Sequence, residues 1–129
     1  MSGYSGTPLP RKLGVKPGHR VLLCGAPSGF ELDGAVSGAG AFDVILAFCP
    51  DFATLERGFG EWRARLDPAG GLWVAWPKKA SKVPTDLTEN IVREFGLATG
   101  LVDNKVCAVD ETWSGLRFVI RLRDRPKSK

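Results

Sequence analysis

The arrangement of apolar and polar residues along the chain predicts both strands and helices. Asp43 to Cys49 and Leu72 to Trp76 are nearly continuous apolar runs, which is typical of parallel strands that are covered on both faces. Between these runs, apolar residues recur at helical spacing, and the sequence Asp67 to Gly71 then predicts a turn. The helical positions are Leu55, Phe59, Trp62 and Leu66. The pattern therefore predicts one strand–helix–strand (βαβ) unit.

Weaker patterns on either side of this unit predict the remaining elements. Val21 to Cys24 is a short apolar run that predicts a first strand, and Gly25 to Phe30 is the loop that leaves it. A second amphipathic helix is predicted with Asp86 and Glu89 as a capping-box variant, and it should end near Gly100. The last predicted elements are one helical turn between Leu9 and Leu13 and two strands, Lys105 to Asp110 and Leu116 to Arg123, that pair as an antiparallel hairpin.

This order of elements predicts the fold class α/β, with a compact Rossmann-like open sheet of about five strands. The sheet should be mostly parallel, with an antiparallel hairpin at its C-terminal end. At 129 residues, the chain is long enough for one domain. We expect a single domain over residues 1–123, which begins with an arm (residues 1–18) rich in Gly, Pro and Ser and is followed by a basic tail (residues 124–129).

The composition is that of an ordinary globular protein, with 43% hydrophobic and 25% charged residues. No apolar run approaches the ~20 residues that a membrane-spanning helix needs. The first residues, Met1 to Pro8, lack the basic and apolar segments of a secretory signal. We therefore expect a cytoplasmic protein that does not associate with membranes.

The net charge of +4 is concentrated at the C-terminus. Residues 116–129 contain six basic residues and one acid, which gives this segment a charge of +5 and leaves −1 for the rest of the chain. A basic tail can attract the phosphates of nucleic acids, so a nucleic-acid-associated protein is one alternative. A solubilising terminus explains the same charge, and no aromatic residues are interleaved with the tail's basic residues to stack on bases.

The chain offers few groups for catalysis or metal binding. Cys24, Cys49 and Cys107 each lie in an apolar run, where a free thiol behaves as a small hydrophobic side chain. Cys24 and Cys49 could form a redox or metal pair near the ends of two strands, but no CxxC spacing accompanies them. His19, the single histidine, precedes the first strand and has no evident partner. We expect no catalytic residues, metal or cofactor, and the sequence leaves open whether the protein is an enzyme.

A candidate binding site follows from the predicted sheet, because ligands of open parallel sheets bind beyond the carboxyl ends of the strands. Three predicted segments meet there, namely Gly25 to Phe30, Pro50 to Asp51 and Trp76 to Ser81. The first contains glycines with available backbone N–H groups, and the last carries two adjacent lysines, which together predict a site for a carboxylate or phosphate. The candidate anion-binding residues are Gly25, Ser28, Gly29, Lys78, Lys79 and Ser81. The alternative is that both lysines are solvated loop charges.

The turn before the last strand carries one large aromatic residue among polar neighbours. Trp113, in the sequence Asp110 to Ser114, could contact a partner or a ligand, and packing beneath the hairpin is the alternative. Asp110 and Glu111 point in different directions on an extended chain, so the pair does not predict acid–base catalysis.

The segment from Phe42 to Arg121 resembles the second half of class I S-adenosylmethionine-dependent methyltransferases. The resemblance rests on Phe42 to Leu46, on the turn Leu66 to Gly71, on the Gly100-Leu101 pair and on the closing hairpin. It implies a Rossmann-like fold, and it makes a reduced methyltransferase-like enzyme an alternative function.

The chain departs from that family in the half that would hold the cofactor. The loop Gly25 to Gly29 matches the family's glycine-rich turn at only two positions. In the family, an additional strand ends with an acid that binds the ribose. Only residues 25–42 separate the first two strands of this chain, which leaves little room for such a strand. Glu31 and Asp33 are the acids that could take that place.

The whole chain is also similar to an uncharacterised bacterial family of small proteins. The similarity rests on the segments Ser2 to Leu9, Trp76 to Lys79 and Val102 to Cys107. This resemblance implies no activity. The main hypothesis from the sequence is therefore a non-catalytic binding or interaction module for an anionic small molecule or a protein partner.

Overall fold

The computed structural model describes residues 8–32, 38 and 40–125. The helices in this part of the chain are α1 (Leu9–Lys12), α2 (Phe52–Ala64) and α3 (Glu89–Ala98). The strands are β1 (Val21–Cys24), β2 (Phe42–Phe48), β3 (Leu66–Pro77), β4 (Leu101–Ala108) and β5 (Trp113–Ile120). Single turns of 3-10 helix lie at Lys79–Ser81 and Leu122–Asp124. The predicted helical turn in the arm and the predicted first strand are thus confirmed.

All five described strands form one open sheet, in the order β1-β2-β3-β5-β4. β1 pairs with β2, and β2 with β3, in parallel, whereas β5 runs antiparallel to both β3 and β4. This arrangement confirms the predicted Rossmann-like α/β class and the C-terminal hairpin. The carboxyl ends of β1, β2 and β3 lie at one edge of the sheet, together with the start of β5, and we call this edge the carboxyl edge.

The segment Asp67 to Gly71, predicted as a turn, is part of β3. Phe42 pairs with Leu66, whereas two residues further along β2 the partner is Gly71, so the register shifts and the residues between bulge. Gly70 lies against the backbone of β2, where a Cβ atom would not fit. The glycines therefore allow a bulged strand to approach its neighbour, and the prediction of a turn is wrong.

The capping box predicted at the start of α3 is also wrong. Thr88 is the N-cap, and its hydroxyl oxygen accepts a hydrogen bond from the backbone N–H of Ile91 at 3.2 Å. Asp86 instead accepts a hydrogen bond from the backbone N–H of Phe52, the first residue of α2, at 2.8 Å. Asp86 therefore joins the start of α2 to the segment that precedes α3.

The two faces of the sheet are covered differently. On one face, the helix face, α2 and α3 pack against the strands, and Leu55, Phe59 and Val92 are buried there. The other face, the arm face, is covered by apolar side chains from α1, from the residues that follow it and from the segment after β1. Trp73 of β3 anchors this cover, because its Nε1 donates a hydrogen bond to the carbonyl oxygen of Leu13 at 3.0 Å.

Both strands of the C-terminal hairpin begin earlier than the sequence predicts, at Leu101 and Trp113. Gly100 ends α3 with a φ of +98°, as predicted, and the chain enters β4 at the next residue. β5 begins early because Trp113 pairs with Pro77, the last residue of β3. This pairing brings Trp113 to the carboxyl edge.

No helix within the described residues is long and apolar enough to cross a membrane. The predicted limits of the domain, of the arm and of the tail stay predictions. Residues 1–7 of the arm and 126–129 of the tail lie outside the described residues.

Candidate functional site

The loop after β1 approaches β2 closely at the carboxyl edge. Gly25 has a φ of +67°, and a Cβ atom there would lie 3.2 Å from the carbonyl oxygen of Phe48 at the end of β2. Gly29 has a φ of +84°, in the left-handed region that favours glycine. The two glycines therefore let the loop turn over the end of the sheet, where it forms one wall of a cavity.

This cavity, the first-loop pocket, has a volume of about 480 Å³. Its walls come from α1, from the loop after β1 and from the turn between β4 and β5. The lining residues are Leu9, Pro27, Ser28, Gly29, Phe30, Glu31, Val109, Asp110, Thr112 and Trp113. Because ligand pockets commonly measure about 300–1,000 Å³, the first-loop pocket is large enough for a small organic molecule.

Three aromatic rings meet edge to face beside the first-loop pocket. The ring centroids of Phe30 and Phe48 are 4.9 Å apart, and those of Phe48 and Trp113 are 5.1 Å apart. These contacts hold the loop after β1 and the turn before β5 against the end of β2. Trp113 therefore packs against Phe48 at the end of β2, and its contact with a ligand or partner stays a prediction.

Asp110 organises the turn between β4 and β5. Its Oδ1 accepts hydrogen bonds from the backbone N–H groups of Thr112 at 2.8 Å and of Trp113 at 2.9 Å. Lys78 donates a hydrogen bond from Nζ to the carbonyl oxygen of Asp110 at 2.8 Å. Lys78 therefore stabilises the wall of the first-loop pocket from the neighbouring strand end.

A second cavity, the lysine pocket, has a volume of about 430 Å³ and lies where β3 ends. Two of its residues, Trp76 and Leu87, belong to the buried cluster of the helix face. Its lining residues are Trp76, Pro77, Lys79, Lys82, Val83, Pro84, Thr85, Leu87, Thr88 and Glu89. The first-loop pocket shares none of these residues, and Leu9, Phe30 and Trp113 of that pocket pack against the cluster of the arm face.

The structure divides the predicted anion-binding residues between these two regions. Gly25, Ser28 and Gly29 belong to the loop of the first-loop pocket, Lys79 lines the lysine pocket, and Lys78 and Ser81 belong to the turn that follows β3. Ser81 donates a hydrogen bond from Oγ to the carbonyl oxygen of Lys78 at 2.7 Å, so its hydroxyl holds this turn. A single anion site formed by both groups stays a prediction.

The chain's three cysteines are free thiols. Burial raises the pKa of Cys24 and of Cys107, and burial together with the nearby Asp51 carboxylate raises the pKa of Cys49 to about 12. Because only the thiolate is a nucleophile or a metal ligand, the raised pKa makes each of these thiols less reactive at neutral pH than a free cysteine. Within the described ranges, no group of three or more His, Cys, Asp and Glu side chains could hold a metal ion.

The raised pKa of Cys49 predicts that stability decreases above pH 9. The buried thiol keeps its proton up to a pKa of about 12 in the folded protein but loses it near 9 in the unfolded chain. Rising pH therefore favours the unfolded state from pH 9 upward, by about 1.4 kcal/mol at pH 10. We expect Cys49→Ala to lose this part of the pH dependence, which urea unfolding at pH 8 and pH 10 measures. Val44→Ala, which removes buried volume but no titratable group, is the control. An unchanged pH dependence in Cys49→Ala would contradict the prediction.

The basic C-terminal segment is only partly described. Arg117 is half-buried, and this burial lowers the pKa of its guanidinium, with the nearby Arg125 as a smaller cause. Arg125 donates a hydrogen bond from Nε to the carbonyl oxygen of Ile120 at 2.9 Å. Because residues 126–129 lie outside the described part, binding of nucleic acid through the tail stays a prediction.

Sequence alone misses several residues of the two pockets. The resemblance to methyltransferases points to Glu31 only as a ribose-binding acid, and no local pattern places it in one cavity with Asp110, because the two residues lie in loops far apart in the sequence. Lys82 and Val83 carry a weak signal, since a second lysine three residues after Lys79 lies in the same polar loop. That spacing, in a loop beyond a buried strand, could have indicated the lysine pocket.

No protein-family model matches the chain, and no curated protein matches it in sequence. Among solved structures, the chain is similar to LepI in complex with SAM, with a TM-score of 0.54, 12% identity and coverage of 88% of this chain and 39% of LepI. A ribosomal protein L11 methylase from Lactobacillus delbrueckii subsp. bulgaricus has a TM-score of 0.46 and 13% identity, and the match covers 64% of this chain and 38% of that enzyme. The chain thus spans about two fifths of the length of these proteins.

The likeness to LepI defines a class of fold, a Rossmann-like α/β sheet. This confirms the fold that the segment Phe42 to Arg121 predicts. At such low identity the likeness concerns the fold alone. Membership of the uncharacterised bacterial family stays a prediction.

Proposed function

We propose that this protein is a non-catalytic binding module that holds a small organic molecule in the first-loop pocket. The position of this cavity carries the proposal. It lies over the loop that leaves the first parallel strand, at the edge where open α/β sheets bind their ligands. Ser28 and Gly29, which are predicted ligand-binding residues, line the cavity together with Trp113.

The walls of the first-loop pocket favour a ligand with a flat apolar body and a cationic or hydrogen-bond-donating group. Phe30 and Trp113 offer aromatic surface, which can stack on a ring or face a cation. Glu31, Asp110 and Ser28 supply acceptor oxygens. An anionic group would meet the two carboxylates, so the anionic ligand expected from the sequence fits this cavity less well.

A binding role fits better than catalysis because two of the reactive groups near the cavity, Asp110 and Cys24, are engaged or protonated. Asp110 uses one carboxylate oxygen to accept two backbone hydrogen bonds, which makes it part of the turn rather than a free general base. Cys24 directly precedes the loop, and its raised pKa keeps it a thiol.

A reduced methyltransferase-like enzyme is the second candidate. The fold shared with LepI, which was solved with SAM, favours it. S-adenosylmethionine also has the properties that the walls favour, namely a flat adenine ring and a cationic sulfonium. The two candidates differ in one outcome, because a binding module holds the ligand without transferring its methyl group.

Thermal unfolding with a panel of ligands tests the proposal. S-adenosylmethionine, S-adenosylhomocysteine, NAD, ATP and inorganic phosphate are each added to the purified protein. A ligand that binds only the folded state adds about 2.7 kcal/mol at 100 times its dissociation constant. We expect an adenosyl ligand to raise the melting temperature and phosphate to leave it unchanged. Methyl transfer to any acceptor would favour the enzyme, and no shift with any ligand would contradict the proposal.

Glu31→Gln locates the ligand in the first-loop pocket. The variant removes an exposed carboxylate, so it should leave the melting temperature of the free protein unchanged. We expect it to weaken the binding of a cationic ligand about two- to five-fold, the range for exposed ion pairs. Glu56→Gln is the matched control, because Glu56 is exposed on α2 and lines neither pocket. Equal affinities in all three proteins would place the ligand elsewhere.

A further inference from the structure

The lysine pocket combines an apolar floor with charged walls. Trp76 and Leu87 belong to the buried cluster of the helix face, so the floor is rigid. Pro77 and Pro84 extend this apolar surface, and Val83 is 43% exposed at the wall. Pockets for small ligands commonly have such a mostly apolar lining with a few polar groups.

The two lysines of the pocket carry positive charge that no neighbour compensates. Neither Lys79 nor Lys82 forms an ion pair or a side-chain hydrogen bond within the described residues. Glu89, the acid in the wall, pairs with Arg93 at 2.6 Å, although Arg93 also pairs with Asp103 at 2.9 Å. The two lysines outnumber this one acid in the lining, so the pocket favours a ligand with negative charge.

The hydroxyl groups of the pocket are already used by the backbone. Thr85 donates a hydrogen bond from Oγ1 to the carbonyl oxygen of Pro50 at 2.7 Å and accepts one from the N–H of Leu87 at 3.1 Å. Thr88 Oγ1 accepts a hydrogen bond from the N–H of Ile91 as the cap of α3, and its own O–H group can still donate. The lysine ammonium groups are therefore the charged donors that remain for a ligand, and the Thr88 hydroxyl is a neutral one.

Lys82 has a backbone conformation that favours glycine. Its φ is +63°, and no other non-glycine residue in the described ranges has a positive φ. The residue ends the 3-10 turn after β3, where glycine would be less strained. This left-handed conformation ends the turn and leads the chain into Val83 and Pro84 of the pocket wall.

We propose that the lysine pocket binds an organic anion with an apolar body. The anionic group lies between the ammonium groups of Lys79 and Lys82, and the apolar body covers Trp76. A carboxylate and a phosphate ester share this chemistry, because lysine binds either as a point charge. The inference goes beyond the proposed function, since it concerns a separate cavity and a ligand of opposite charge.

An NMR titration of the ¹⁵N-labelled full chain tests this site with indole-3-acetate and its uncharged analogue indole-3-acetamide. The two probes share the indole ring and differ in charge. We expect indole-3-acetate to shift the signals of residues 79–89 and of the Trp76 indole N–H, and the amide to bind about five-fold more weakly. Phenyl phosphate distinguishes phosphate from carboxylate ligands, and inorganic phosphate, which lacks an apolar body, should bind more weakly than either.

Lys82→Gly separates the loss of charge from a loss of folding. Glycine relieves the positive φ, so the melting temperature should stay the same or rise while the affinity for indole-3-acetate falls about two- to five-fold. Lys79→Gln should weaken binding by a similar factor. Lys105→Gln is the matched control, since Lys105 is exposed on β4 and lies outside the pocket, and it should bind as the wild type does.

Four results would overturn the proposal. The first is equal binding of the charged and uncharged probes, and the second is wild-type affinity in a variant that combines Lys82→Gly with Lys79→Gln. The third is the absence of binding by both indole-3-acetate and phenyl phosphate at millimolar concentrations. Shifts at Ser28 to Glu31 instead of residues 79–89 would likewise assign the anion to the first-loop pocket and contradict this site.

Discussion

Replacing Gly96 with alanine is expected to destabilise the protein by about 2–3 kcal/mol, although alanine normally favours a helix. Gly96 lies in α3, and a Cβ atom there would overlap the ring of Phe118 on β5. The Phe118 ring is fully buried and packs against Phe59, so it cannot move aside without disturbing the core. Urea unfolding of the variant measures the effect.

Gly60→Ala is the matched control for this prediction. Gly60 also lies within a helix, α2, but nothing lies within 4 Å of a Cβ atom at that position. Alanine should therefore stabilise the protein there by up to about 1 kcal/mol, through helix propensity alone. Equal effects of the two substitutions would contradict the close packing of α3 on β5. This packing matters for the lysine pocket, because α3 provides part of its wall.

Trp73→Ala should cause the largest loss of stability, about 3–5 kcal/mol. Trp73 is fully buried on the arm face, and its Nε1 donates a hydrogen bond to the carbonyl oxygen of Leu13. The substitution leaves a cavity and also leaves that carbonyl group without its partner. Because small domains are stable by only about 5–15 kcal/mol, denaturant unfolding at low temperature is the suitable measurement.

Trp73→Phe measures the contribution of the hydrogen bond while most of the packing is kept. It keeps an aromatic ring but leaves the carbonyl oxygen of Leu13 unpaired, which should cost about 1–3 kcal/mol. The loss should also loosen α1, whose Leu9 lines the first-loop pocket. A variant as stable as the wild type would mean that this hydrogen bond does not hold the arm to the sheet.

The buried strands and the start of α2 are predictable from local sequence. A strand covered on both faces excludes polar side chains, which makes β2 visible as an apolar run. Asp51 before α2 is a residue type that favours the N-cap position, and it accepts a hydrogen bond from the N–H of Thr54 at 2.9 Å. Long-range contacts escape this reasoning, since Asp86 bonds to Phe52 rather than to its own helix.

The segment Asp67 to Gly71 shows why a glycine pattern can mislead. Glycine and proline favour turns, but glycine also permits close approach between strands, and local sequence does not distinguish these uses. Only the register with β2 reveals the bulge.

The position of a candidate site was more predictable than its composition. The topology of a parallel sheet places the loop after β1 and the segment after β3 at one edge, as found. Local sequence does not show that Lys79 turns to the lysine pocket while Lys78 bonds to Asp110. This division depends on the 3-10 turn and on the hairpin, which meet only in the folded protein.

The indole N–H signals of the tryptophans test the central claim most directly. Trp113 lines the first-loop pocket, Trp76 lines the lysine pocket, and Trp73 is fully buried. ¹⁵N-tryptophan-labelled protein is titrated with S-adenosylmethionine, NAD and ATP. The account predicts that at least one of these ligands shifts the Trp113 signal and leaves the Trp73 signal in place. A Trp113 signal that none of them moves, or a shift of Trp76 alone, would contradict it.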